Sequence, residues 1–345
     1  MSLVNLHAMR YQPLLLLLGL CFVTSLQALG ESATNAPPPD LLGVLTEGRT
    51  FQKSAEEAKT PAETMANYQK AIERFGRAVE LAPDSYRAHF LLGHSLYGLA
   101  LQTTDKGQRH KLVMQAREQY VAGARCPGVE WPLYQEWGAM LTREIDLLST
   151  SFAEHRDILQ EAINSLNAGF VLTRFSGERA KIERDLGAAY LLMAKSSPGL
   201  PNQYALYKRA VEKFDSATKV ETEAKSARIY GLWGVALLEL GKADNDRMLM
   251  RQATERMQTA LDLEPANGEI RYNLACAYAL LNQPEAGMRH LKICLENDPE
   301  HTYYNSAAKD PDLFNLRRTA EYNQLFPDDA VVDPQAIIRS QISDH

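Results

Sequence analysis

Residues 271–299 read RYNLACAYALLNQPEAGMRHLKICLENDP, and this stretch decides the fold. Gly287, Leu291 and Cys294 stand at three- and four-residue spacing ahead of Asp298-Pro299, the period of one helix face. The same arrangement stands upstream, where Ala253, Met257 and Ala260 precede Glu264-Pro265. The two prolines are 34 residues apart. A fixed interval of this size marks a repeated supersecondary unit that buries its apolar face only by stacking on its neighbours.

Working outward, Ala71, Phe75, Ala78 and Pro83 fall in the same register, as do Ala210, Phe214 and Ala217. A second line recurs in the first helices: Leu92-Gly93-x-x-Leu96, Trp137-Gly138-x-x-Leu141, Leu186-Gly187-x-x-Tyr190 and Trp233-Gly234-x-x-Leu237. From about Asp40 onward the periodicity is helical, with almost no strand signal. Pro83, Pro127, Pro132, Pro201, Pro265 and Pro299 punctuate it, and Gly107, Gly177, Ser196-Ser-Pro-Gly199 and Gly241 read as helix stops. Paired antiparallel helices are the simplest reading.

These lines resemble the tetratricopeptide-repeat family, whose pattern runs W-x2-L-G-x2-Y, then A-x3-F, then a late Pro. The small residues (Gly93, Gly138, Gly187, Gly234, Ala275) let two backbones approach. The large ones (Phe75, Tyr120, Leu166, Phe214, Met257) are expected to fill the space between neighbouring pairs. The resemblance implies an all-α, right-handed α-solenoid of about six antiparallel helix pairs over residues 41–326, closed by a C-terminal capping helix. Asp310-Pro-Asp-Leu-x-x-Leu-Arg317 looks like such a cap, with Leu313, Leu316, Tyr322 and Phe326 to cover the last apolar face. The intervals from Gly93 to Gly138, Gly187 and Gly234 are 45, 49 and 47 residues, longer than the family's 34. They predict longer helices joined by longer turns, for example at residues 102–108 and 197–203.

The chain begins with an address. Arg10 is the one charged residue before Gly30, and the apolar run Leu14–Val23 is too short to cross a hydrocarbon core. Residues 1–30 read as a secretory signal peptide, residues 31–40 as a Pro-rich linker, and residues 327–345 as a tail with an amphipathic stretch from Pro334 to Ile342. The expected address is exported, periplasmic or secreted. Leu20 before Cys21 argues against a lipoprotein, which takes a small residue there. Cys126, Cys276 and Cys294 then remain, an odd number, with no C-x-x-C pair, so buried thiols are favoured over a redox or zinc site.

Chemistry is sparse. Gly93-His-Ser-Leu-Tyr-Gly98 has one residue too many for a nucleophile elbow, and Ala243 after Gly241-Lys242 spoils a phosphate loop. No enzyme activity, cofactor or metal is implied. The formal charge of −6 argues against nucleic acid as partner, because phosphates demand surplus cations.

The remaining candidate is a groove along the first helices. The stripe beside each Leu-Gly step holds Arg87, Phe90, His94 and Tyr97, then Gln135 and Arg143, Lys181 and Arg184, Arg228, and Tyr272. Its cations, in an acidic chain, imply that the negative surplus is kept off this surface. The function expected is a non-catalytic interaction scaffold or adaptor in the cell envelope, binding a protein or acidic peptide in the groove. The alternative is a helper subunit of a transport system whose helices enclose a small apolar ligand. Oligomerisation through an exposed face of the array is compatible with either reading.

Overall fold

Gly48 of one helix lies so close to the Phe75 ring of the next that an added Cβ would sit 2.5 Å from Cε1, and a contact of this kind recurs four more times along the described chain. The protein is seen in a computed structural model that describes residues 40–220, 226–298 and 301–327. The signal peptide, almost all of the linker and the amphipathic tail stretch lie outside the described residues.

Among the described residues the fold is all-helical. Helices α1 (Leu41–Glu56) and α2 (Pro61–Leu81) form the first pair; α3 (Tyr86–Gln102) and α4 (Lys106–Gly123) form the second. The third joins α5 (Trp131–Arg143) to α7 (Phe152–Leu172), with the single turn α6 (Ile145–Leu148) between them. Then follow α8 (Ser176–Lys195) with α9 (Gln203–Ala217), α10 (Ala227–Asp244) with α11 (Arg247–Leu263), and α12 (Gly268–Leu280) with α13 (Pro284–Glu296). Each second helix packs on the first helix of the next pair, so six pairs stack as a solenoid.

Local chemistry sets the ends. Thr60, Ser85, Asp105, Ser151, Ser226, Asp246 and Asn267 each accept a backbone N–H from the first turn of their helix. Such a cap stabilises by about 1 kcal/mol over alanine. Pro61 and Pro284 open helices rather than end them, and Pro132 does the same inside α5, where a missing N–H costs nothing. Three expected stops also move. Gly107 and Gly177 lie in the first turns of α4 and α8, and Gly241 is buried inside α10. A Cβ on Gly241 would meet Met250 Cγ at 3.0 Å and the Asp246 carbonyl at 3.1 Å, so this glycine marks close approach, not termination.

The glycine contacts correct a second expectation. Gly93 faces Tyr120, Gly138 faces Leu166, Gly187 faces Phe214 and Gly234 faces Met257, with virtual Cβ distances of 2.9, 2.5, 2.7 and 2.4 Å. Every large residue fills the gap inside its own pair, not between pairs. These knobs are essentially inaccessible to water. The added length also resides mainly in the helices, which reach 21 residues in α2 and α7 against 13 in both α12 and α13. Only Asn245 and Asp246 separate α10 from α11, and residues 103–105 separate α3 from α4; inside the pairs, the long turns are those after α5 and α8.

Beyond α13, the short helix α14 (Thr302–Ala307), two 3₁₀ turns (Pro311–Leu313 and Leu316–Arg318) and α15 (Ala320–Leu325) fold over the last pair. Leu313, Leu316, Tyr322 and Phe326 bury against Ala275, Ala279, Met288 and Leu291. Lys242 reaches from α10 to Asp312 at 2.7 Å, fastening this cover to the fifth pair as well.

Candidate groove along the first helices

One surface runs along the first helices of the pairs. In its C-terminal half a cleft of about 590 Å³ is walled by α5, α8, α10 and α12, which contribute Arg143, Ala188, Arg228, Val235, Ile270 and Asn273. Arg143 and Arg228 are exposed, and neither has a carboxylate at ion-pair distance among the described residues. Partial burial, then the neighbouring Arg143 and Arg184, pull the Arg228 guanidinium below its ordinary pKa. Asp146, Glu264 and Glu269 line the same cleft, so its charge is mixed, with the two guanidiniums close to each other.

Arg184 differs from these two. It binds Asp185 through Nε at 2.9 Å and Nη2 at 3.1 Å, and Gln135 Nε2 donates to the same carboxylate at 2.6 Å. Its charge is largely answered from within the groove.

The N-terminal half is a second cleft, of about 620 Å³, between α1, α3 and α5. Phe90 and His94 line it with Glu56 and Glu136. His94 Nε2 lies 3.7 Å from Glu56 and Nδ1 lies 3.7 Å from Glu136. Burial opposes the imidazolium, but the two carboxylates outweigh it and His94 titrates above its ordinary value. Glu136, in turn, is penalised by burial, yet His94, Arg143 and Arg184 hold it below the usual carboxylate range. His89, five residues before His94, faces elsewhere, between the Pro83 carbonyl (2.9 Å) and Gln119 (2.8 Å).

The other stripe residues are placed as follows. Arg87 is exposed on the rim, 3.5 Å from Glu130 and over the Tyr86 ring. Tyr97 is only 4% exposed, and its hydroxyl donates to Glu144 Oε1 at 3.1 Å, so it offers no surface to a partner. Burial and Glu144 push its pKa up to about 12. Lys181 is exposed, without an ion pair among the described residues, and it lines neither of these clefts. Tyr272 donates to Asp310 Oδ2 at 2.8 Å and packs on Tyr303, which makes it an anchor for the C-terminal cover.

The groove also contains residues that the stripe left out: Glu136, Asp185, Leu232 and Asn273, each two positions before the small residue of the Leu-Gly step, and the acidic Asp146, Glu264 and Glu269. The acidic surplus is thus not kept off this surface; Glu136 and Asp185 stand in it and neutralise His94 and Arg184. Among the described residues, no three His, Cys, Asp or Glu side chains are grouped to hold a metal. No helix there is long and apolar enough to cross a membrane. Cys276 and Cys294 are buried free thiols and Cys126 is partly exposed.

A tetratricopeptide-repeat family model matches residues 62–99, the segment that holds most of α2 and α3. A chloroplastic protein of Arabidopsis thaliana is 32% identical over 91 residues, which are 25% of this chain. The match spans 27% of the length of that curated relative. Among solved structures, the chain is similar to YrrB, a TPR protein with an unusual peptide-binding site, at 13% identity and a TM-score of 0.43 over 69% of this chain and 99% of that one. It is also similar to the C-terminal part of a TPR repeat-containing protein from Cytophaga hutchinsonii, at 13% identity and a TM-score of 0.45 over 84% and 98% of the two chains. The chain thus carries a tetratricopeptide-repeat signature at residues 62–99, and six helix pairs of that kind stack in sequence through the described residues.

Proposed function

We propose that this chain is a non-catalytic scaffold of an exported compartment, which holds a carboxylate-bearing segment of a partner protein in its groove. The tetratricopeptide-repeat fold supports an interaction-scaffold role. The observation that supports the finer reading is the pair Arg143 and Arg228, two exposed guanidiniums with no carboxylate at ion-pair distance among the described residues, on one cleft beside the Asn273 amide and the apolar Val235 and Ile270. Guanidinium forks match carboxylate geometry, and apolar floor beneath them adds area.

The test is fluorescence anisotropy with labelled acidic peptides against their Asn/Gln counterparts. R143E/R228E abolishes binding of the acidic set while circular dichroism stays unchanged. Equal binding by wild type and variant removes the groove from the function. The exported address rests on Arg10 and the Leu14–Val23 run. N-terminal sequencing of protein from intact cells, beginning near Ala28 or Gly30, is the result that supports it.

A further inference from the structure

The turn between α7 and α8 breaks the ordinary rule that connections are polar. Val171 is 81% exposed, Phe175 69% and Leu172 40%, three large apolar side chains within five residues. Soluble proteins seldom leave such a cluster bare unless something covers it. Cations surround it. Arg174 and Arg179 are exposed within the same turn, and Lys181 follows one turn into α8.

The acids nearby are already engaged. Glu178 Oε2 accepts the backbone N–H groups of Arg174 at 2.8 Å and Phe175 at 3.1 Å. Glu183 takes Lys213 at 3.4 Å and the Ser216 hydroxyl at 2.7 Å. Arg174 and Lys181 are left without an ion pair among the described residues, and Arg179 only rests on Phe170 and touches the Thr173 hydroxyl. The backbone donors of the turn are equally spent, because Glu178 holds two of them and the Thr173 N–H bonds the Phe170 carbonyl at 3.2 Å. What remains outward is apolar side chain and long-armed positive charge, with few fixed hydrogen-bonding groups to read a protein surface.

We propose that the α7–α8 turn docks the scaffold on an anionic lipid surface, with Val171, Leu172 and Phe175 entering the interface and Arg174 and Arg179 meeting headgroups. Apolar insertion and diffuse attraction of Lys or Arg by anionic lipid are the two components of peripheral membrane binding, and both stand in this one turn. The contact is reversible, since three side chains bury little area. The C-terminal cleft shares α8 with this turn but takes Ala188 and Leu192 from it, two turns or more beyond Arg179.

Co-sedimentation of the full chain with vesicles of phosphatidylcholine, with and without phosphatidylglycerol, tests this. The chain pellets with the anionic vesicles, pellets far less with phosphatidylcholine alone, and is released by salt. R174Q/R179Q weakens partitioning about thirtyfold, the worth of two cations at such a surface. V171S/F175S removes it, and because both side chains are exposed the helical content of the variant is unchanged. R143E/R228E, which disables the groove, leaves vesicle binding intact, so the two readings fail separately. Wild type that ignores both vesicle types overturns the proposal. Binding that survives V171S/F175S also overturns it, as does a protein cross-linked through this turn in the absence of any vesicle binding.

Discussion

Arg109 of α4 grips the carboxylate of Glu144 with both arms of its guanidinium, Nη2 to Oε1 at 2.7 Å and Nε to Oε2 at 3.1 Å. Glu144 is 4% exposed at the end of α5, and the Tyr97 hydroxyl completes its shell. Arg117, two turns along the same helix, makes the equivalent fork to Glu161 of α7, which also accepts the Trp137 indole N–H. The second and third pairs are therefore joined by two polar ties beside a shared apolar core.

Removing one partner of a buried pair strands the other charge, typically at a cost of about 3–5 kcal/mol. Arg109 is one-third exposed, so solvent screens part of this, and R109M is expected to cost about 2 kcal/mol. R87M is the control, because the Arg87–Glu130 contact is exposed on both sides and is worth under about 1 kcal/mol. Thermal melts by circular dichroism give a clear drop in Tm for R109M and almost none for R87M. Equal shifts in the two would show that the tie adds nothing.

His94 ties α1, α3 and α5 through Glu56 and Glu136, and its contribution depends on pH. Its folded pKa is raised above the ordinary 6.5, so the stabilisation is fully present below 6.5 and is lost as pH climbs through the raised value. Glu136 runs the other way. Its folded pKa is lowered from 4.5, so its share is present above 4.5 and is lost as pH falls through that lowered value. The Tm advantage of wild type over H94Q is therefore largest between 4.5 and 6.5 and shrinks toward alkaline pH. A difference that stays flat across neutrality would contradict the arrangement of charges.

Glycines in equivalent helical settings should respond in opposite ways. A Cβ at position 138 would stand 2.9 Å from the Ala162 carbonyl, backbone that cannot turn aside, as well as against Leu166. Overpacking of this kind costs about 1–3 kcal/mol, more than the propensity gain of alanine returns. Gly76, within α2, has nothing within 4 Å of a built Cβ. G76A is expected to raise stability by about 0.5–1 kcal/mol and G138A to lower it, both read from urea or thermal unfolding.

That contrast also shows what the sequence makes legible. The Leu-Gly steps and the A-x3-F lines locate the pairs because each glycine is matched by one large residue in the second helix of its own pair. Proline and glycine read as punctuation mislead at Pro132, Gly107, Gly177 and Gly241, since the same residues open helices and permit close approach. The groove was legible as a stripe and not as a charge pattern. Glu136 and Asp185 lie one residue off the counted positions, and their effect on His94 and Arg184 appears only when three helices are brought side by side. Tyr97 shares the stripe's spacing with His94, but the Arg109–Glu144 tie, which comes from elsewhere in the chain, covers it.

Arg143 and Arg228 provide the sharpest separation of binding from folding. Arg228 titrates below an ordinary guanidinium because partial burial, and then Arg143, oppose its charge. A group whose charged form is disfavoured in the folded chain weakens the fold at every pH where it stays protonated. R228Q is therefore expected to leave Tm unchanged or to raise it, while R143Q/R228Q gains less, because Arg143 also helps to hold Glu136 ionised. Neither substitution strands a carboxylate, since neither arginine holds one at ion-pair distance among the described residues. The same variants should lose affinity for acidic peptide by at least about tenfold, since one charge-assisted hydrogen bond alone is worth about 1.5–3 kcal/mol. Melts and anisotropy on one preparation thus read opposite signs. A fall in Tm that accompanies the loss of binding would mean that the two arginines are structural after all.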